Sequence, residues 1–223
     1  LTFDDGPDAA YTAEILDVLK QTGTPGAFFV VGAQAIDAPD LLVRMVDEGH
    51  EIGSHTFSHP RMDLVSRTRG ELEHSMMRKL IAGYSGHDTR LYREPFLRAG
   101  GPLEEARVAT LAAAQEHGAI ISGMDIVPKD WEGMTAREIV DYVTGEVEKG
   151  AGNVLLFHDG GGDRTETVRA LPMLITELEA KGYEFTSLAS LIGTTRAALM
   201  PVSENRWPGL DKVSFDVMSG TRN

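Results

Sequence analysis

Apolar residues along this chain follow two alternating patterns. Short unbroken runs, such as Gly-Ala-Phe-Phe-Val-Val at 26–31 and Asn-Val-Leu-Leu-Phe at 153–157, read as buried strands. Between them lie stretches whose apolar positions recur three and four apart, the spacing of one helical face. Residues 11–22 place Ile15, Leu16 and Leu19 inward and stop at Gly23; residues 39–48 do so with Leu41, Leu42, Met45 and Val46 before Gly49. Leu72, Met76 and Leu80 mark a longer helix over about 66–82, and another through 103–117 ends at Gly118. Thr135-Ala136-Arg137-Glu138 is a capping-box pattern that opens a helix to Lys149. Residues 166–181 are helical, with a bend or break expected at Pro172. Further strands are expected at 1–3, 51–54, 90–93, 119–122 and 183–186, with a short helix at 188–191. Such alternation predicts an α/β fold with a parallel sheet and crossover helices, and about seven βα units make an incomplete barrel. Periodicity fades after Gly193, so residues 1–192 read as one domain and 193–223 as an extension or linker.

Composition narrows the chemistry. The 223 residues contain no cysteine, which excludes disulfides, thiolate metal sites and thiol nucleophiles and leaves His, Asp and Glu as ligands. A formal charge of −13 lacks the basic footprint that nucleic-acid binding needs. No apolar run approaches the roughly 18 residues of a membrane span. The chain opens on Leu1 inside a predicted strand, which reads as a segment of something longer, so the lack of a leader is silent about compartment.

Two short segments carry the strongest chemical signal. Thr2-Phe3-Asp4-Asp5-Gly6-Pro7 sets two carboxylates at the carboxyl end of the first strand, and Ser54-His55-Thr56-Phe57-Ser58-His59-Pro60 follows the third. Histidines four apart fall on one face of a helical turn, so both rings are expected to reach one ion. One Asp and two His leave a coordination position open, the pattern of a catalytic metal, and free the second Asp to act as a base. Three further segments follow predicted strands. Arg93, in Tyr-Arg-Glu-Pro-Phe, is placed to pair with a carboxylate. Asp130 beside Trp131 offers an orienting carboxylate and a flat apolar wall of the kind a sugar ring stacks on. His158, leaving a buried strand at its carboxyl end, is placed for general acid work. The histidines at 50, 74, 87 and 117 are expected to be structural or superficial.

Taken in order, these five segments resemble the signatures of the polysaccharide deacetylase family, carbohydrate esterase family 4, over about residues 1–192. That resemblance implies a distorted, incomplete (β/α)7-type barrel that removes acetyl groups from N-acetylated sugars with a divalent metal, Zn²⁺, Co²⁺ or Ni²⁺ all suiting the ligand set. It implies that Asp5, His55 and His59 bind the metal, Asp4 is the general base and Arg93 orients it. His158 becomes the general acid and Asp130 its partner. Phe96 contributes a backbone N–H to the oxyanion, and Trp131 and Leu156 line the acetyl pocket. It also implies an extracytoplasmic or cell-envelope setting and an N-acetylated glycan partner, with no membrane insertion by this segment. Two of the segments depart from the family's pattern: Glu94, Phe96 and Leu97 replace the usual Pro, Tyr and Gly in the third, and Val127 stands where a second acidic residue is usual in the fourth. The stretch around 191–202 resembles the boundary at which such domains join a glycosyltransferase. O-acetyl esters or small cyclic amides are the alternative substrates on the same fold, and a non-catalytic sugar-binding domain is the alternative of another class.

Overall fold

Unbroken apolar runs become the middle of a sheet, because a strand covered on both faces has no side to turn to water. The computed structural model describes residues 1–203. Six strands form one parallel sheet: β1 (Thr2–Asp4), β2 (Ala27–Val30), β3 (Glu51–Ser54), β4 (Leu91–Tyr92), β5 (Ile120–Ile121) and β6 (Leu156–His158). Their spatial order is β5-β4-β3-β2-β1-β6. The first strand is therefore paired along both edges, with Asp4 level with Phe29 on one side and His158 on the other. The sheet does not close, although a parallel bridge between Ile126 and Leu155 extends the ladder beside β6. This is the expected incomplete barrel.

Helices cover the sheet: α1 (Tyr11–Thr22), α2 (Gly32–Asp37), α3 (Pro39–Asp47), α4 (Arg67–Ser85), α5 (Glu105–Glu116), α6 (Ala136–Glu148) and α7 (Thr165–Ala180). Two short ones follow, α8 (Leu188–Leu191) and α9 (Arg196–Leu199). Phe3 stacks on Phe28 with ring centroids 4.9 Å apart, at the centre of a core that also takes Ile15, Leu42, Ile139 and Leu174. The Thr135 side chain caps α6 and Glu138 returns the bond, as the capping box requires.

Several expectations need correction. Residues 183–186 form no strand; only Phe185 turns partly inward, and the Tyr183 N–H is used to close α7 on Leu178. Pro172 does not break α7, because Ala170, Leu171, Leu174 and Ile175 are buried and the helix packs against α1 and α6, which offsets the single lost bond. Leu72 is exposed, since α4 turns Glu73, Met77, Leu80 and Ile81 inward instead. Of the expected extension, 204–223 lies outside the described residues. Within 193–203, Leu199 and Met200 are buried in the core and Arg196 donates to the carbonyls of His50 and Val46.

Candidate functional site

Alternation along β1 sends Phe3 into the core and Thr2 and Asp4 to the opposite face. Asp4 is 4% exposed, and Arg93 meets it from the end of β4. The Arg93 guanidinium is fully buried and uses every donor it has. Nη1 donates to Asp4 Oδ1 at 2.8 Å and to Thr2 Oγ1 at 2.9 Å. Nη2 donates to Ser122 Oγ and to the Gly123 carbonyl, and Nε to the Ser122 carbonyl. Its cation lies 4.1 Å from the centre of the Phe29 ring.

After Asp4 the chain turns sharply, with Asp5 in the left-handed region at φ 74°. The turn is fastened by Asp159, whose Oδ1 accepts from Gly6 N–H at 3.1 Å and whose Oδ2 accepts from Thr12 Oγ1 at 2.6 Å. A side chain at Gly6 would put its Cβ 2.1 Å from Asp159 Oδ2, so only glycine admits this approach. Burial, together with the nearby Asp5 and Asp4 charges, raises the Asp159 carboxyl to about 7 despite the Thr12 hydrogen bond.

The two histidines do not share a helix. His55 continues the β3 ladder through its N–H to the Val30 carbonyl, and the chain then turns with Thr56 at φ 68° and His59 at φ 56°. This loop, rather than a helical face, brings the rings to centroids 5.0 Å apart. His59 N–H donates to Thr56 Oγ1 within it. His55 Nδ1–H donates to the Arg93 carbonyl at 2.8 Å, which fixes the tautomer and leaves Nε2 as a lone-pair donor.

Asp5 Oδ1 lies 3.4 Å from His55 Nε2 and 3.0 Å from His59 Nε2, and the three ligand atoms fall within 4.8 Å of one another. That carboxylate oxygen is buried and accepts no hydrogen bond. Burial works against the Asp5 charge, yet the two imidazoles outweigh it and hold the carboxyl well below its ordinary range. An unsatisfied buried oxygen facing two imidazole nitrogens fits a divalent cation that accepts oxygen and nitrogen.

His158 emerges from β6 directly beside Asp4. Its Nδ1–H donates to Asp130 Oδ1 at 2.8 Å, while Asp130 Oδ2 accepts from the His158 N–H at 2.9 Å and Thr167 Oγ1 at 2.8 Å. Burial disfavours the imidazolium, but the Asp130 bond and the charges of Asp130, Asp4 and Asp5 prevail and raise the His158 pKa. The Trp131 ring stands edge-on to His158 with centroids 4.8 Å apart and is 45% exposed. A cavity of about 790 Å³ is lined by Asp4, Asp5, His55, His59, Trp131 and His158, with buried Leu156 and exposed Phe96 also facing it. Phe96 takes φ 61°, and among the described residues no acceptor takes its N–H.

All ten residues singled out in the sequence thus border or support one cavity. Glu94, which stands where the family usually has Pro, accepts from Arg107 Nη1 and Thr110 Oγ1, each at 2.6 Å, and is fully buried. Its charge is spent on α5. Sequence reasoning gave no role to Asp159, Thr56 or Glu73. Thr56 lies inside the histidine segment quoted above and Asp159 directly follows His158, whereas Glu73 has no local signal beyond an acidic residue amid a helix.

Comparison with known proteins bears on this geometry. A family model described as polysaccharide deacetylase matches residues 1–118. The chain is 35% identical over 202 residues to a chitooligosaccharide deacetylase of Sinorhizobium fredii, covering 84% of this chain and 88% of that one. It superposes on the crystal structure of the Bc1960 peptidoglycan N-acetylglucosamine deacetylase, bound to an aryl N-oxidanyl-benzamide, with a TM-score of 0.79, 32% identity and 87% of each chain covered. A family 4 acetyl xylan esterase from Clostridium thermocellum, in complex with a cobalt ion, gives a TM-score of 0.74 at 28% identity, covering 87% of this chain and 91% of that one.

Proposed function

The chain belongs to the polysaccharide deacetylase family, and from that membership we propose that it hydrolyses the N-acetyl group of N-acetylglucosamine units in a glycan, assisted by a divalent cation. The observation that carries this reading is the pairing of an Asp5–His55–His59 cluster with Asp4 and His158 side by side on neighbouring strands. A cation held by Asp5, His55 and His59 supplies Lewis acidity, which polarises the acetyl carbonyl and makes water easier to deprotonate.

The chain's own residues do the rest. Asp4, oriented by its hydrogen bond from Arg93, takes the proton of the attacking water as its oxygen bonds to the acetyl carbon. The free Phe96 N–H is available to the carbonyl oxygen as negative charge develops there. His158 Nε2 gives its proton to the sugar nitrogen as the carbon–nitrogen bond breaks, yielding acetate and a free amine. Asp130 keeps that proton available by stabilising the imidazolium. Leu156 and Trp131 present an apolar wall to the acetyl methyl and the sugar face. The relatives act on peptidoglycan and chitin-like oligomers, which supports a cell-envelope or extracytoplasmic setting. No helix among the described residues is long and apolar enough to cross a membrane.

Acetate release from N-acetylglucosamine oligomers tests the reading, measured with added Zn²⁺ and after chelation. Release that disappears on chelation and returns with Zn²⁺ is expected. The likeness to an acetyl xylan esterase favours O-acetyl esters as the second reading. An ester leaving group needs less help from a proton donor, so release from acetylated xylan alone, insensitive to His158→Ala, would replace the first. No release from either substrate, with Zn²⁺ bound, would leave a sugar-binding domain.

A further inference from the structure

The turn that carries His59 to the cluster combines two costs. Thr56 and His59 both adopt left-handed backbone that side-chain-bearing residues avoid, and the reversed chain leaves N–H groups with no strand partner. The carbonyl side is met by the first turn of α2, where Gly32 N–H donates to the Thr56 carbonyl and Ala33 N–H to the Phe57 carbonyl. On the N–H side, Thr56 N–H donates to Ser54 Oγ and His59 N–H to Thr56 Oγ1 within the segment, and the two N–H groups between them are met by one residue from outside it. Glu73, on α4, is 2% exposed and accepts from Phe57 N–H at 2.9 Å and Ser58 N–H at 2.7 Å through one carboxylate oxygen. Its other oxygen accepts from Ser58 Oγ at 2.7 Å and from Arg69 Nε at 2.8 Å. Arg69 also reaches Ser58 Oγ, so the carboxylate is itself held.

We infer that Glu73 is a positioning residue for the cation site: its carboxylate fixes the 56–59 turn and thereby sets His59 against Asp5 and His55. The inference rests on the cation reading and extends it to a helix that contributes no ligand. A formal negative charge serves here because two adjacent backbone N–H groups and a hydroxyl converge on it, and charge-assisted bonds hold a strained turn more firmly than neutral ones. Glutamine at this position turns an NH₂ group toward one pair of those donors, so the turn loses part of its anchorage while the helix keeps its shape.

Zn²⁺ affinity, measured by competition with a zinc indicator of known affinity, tests the assignment. In the parent protein one Zn²⁺ is expected to bind, and Glu73→Gln is expected to weaken it by about 10- to 100-fold. Excess Zn²⁺ should return turnover to that variant, which a loss of folding would not allow. Ser58→Ala, on an exposed residue, is expected to weaken Zn²⁺ to a smaller extent in the same direction. Glu71→Gln, on the exposed face of α4, should leave affinity unchanged. A folded Glu73→Gln protein that binds Zn²⁺ as tightly as the parent overturns the inference; should that variant not fold, unchanged affinity in Ser58→Ala overturns it. No Zn²⁺ uptake by the parent would instead overturn the cation reading on which it stands.

Discussion

Arg93 is the residue on which the polar site converges, because it neutralises Asp4 with its side chain and holds His55 with its carbonyl. These two functions separate under substitution. Arg93→Lys keeps the carbonyl but offers a point charge with three donors where five bonds are made. The expected result is a loss in kcat/KM on the order of 100-fold with Zn²⁺ affinity retained, read from steady-state kinetics beside the indicator titration. Asp130 sets the other proton. Burial works against the His158 imidazolium, and the Asp130 carboxylate reverses that, so the folded pKa lies above the ordinary imidazole value. The stability this pair contributes is present below the unfolded imidazole pKa and is lost as pH rises through the raised folded value. In Asp130→Asn the alkaline limb of the kcat profile should move to lower pH. A limb that stays in place would remove His158 from the acid role.

At the scale of elements, the fold was legible wherever a single period ran long enough. The helix at Tyr11–Thr22 and the capping box before α6 follow from local pattern alone. The short strands flanked by glycine stops were also readable. The His-x-x-x-His spacing pointed to two rings that do come together, but it misled as structure: four residues of separation fit a helical face, whereas a turn with two left-handed residues brings the rings to the same place. Nothing in residues 54–60 announces that turn, since its anchors lie on α2 and α4. Likewise residues 183–186 have strand composition, but among the described residues no backbone hydrogen bond joins them to a strand, and a cavity lies between them and Leu1, Val154 and Leu155. Gly32 shows how close the elements come, for a Cβ there would lie 2.4 Å from Phe57 Cδ2 and 3.0 Å from Phe57 Cα. Gly32→Ala is therefore expected to lower stability by about 1–3 kcal/mol and to weaken Zn²⁺ binding with it. Thermal unfolding and the zinc titration report the two effects separately.

For the whole molecule, the three proposed ligands come from two loops that follow β1 and β3, so an ion bound there would tie together distant parts of the sheet. Zn²⁺ at about 100 times its Kd should stabilise the fold by roughly 2.7 kcal/mol. In a chain of this size that corresponds to an increase in Tm of about 5–10 °C, lost on chelation and measurable by calorimetry. A Tm indifferent to Zn²⁺ would mean that the ion binds folded and unfolded chains alike or not at all.

The place of β1 between β2 and β6 has a consequence for how the protein is made. One edge of that strand is met by β2 soon after it leaves the ribosome, but its other edge waits for β6, and Gly6 and Asp159 stand 153 positions apart. At about 5–20 residues per second, roughly 10–30 seconds of synthesis separate the two. Through the later part of that interval the nascent chain carries Asp5, His55 and His59, yet it has neither His158, the proposed proton donor, nor the aspartate that fastens the first turn. The residues proposed to hold an ion are thus synthesised well before those proposed to cleave an amide, and the turn behind Asp5 takes its final geometry only once Asp159 arrives to fasten it.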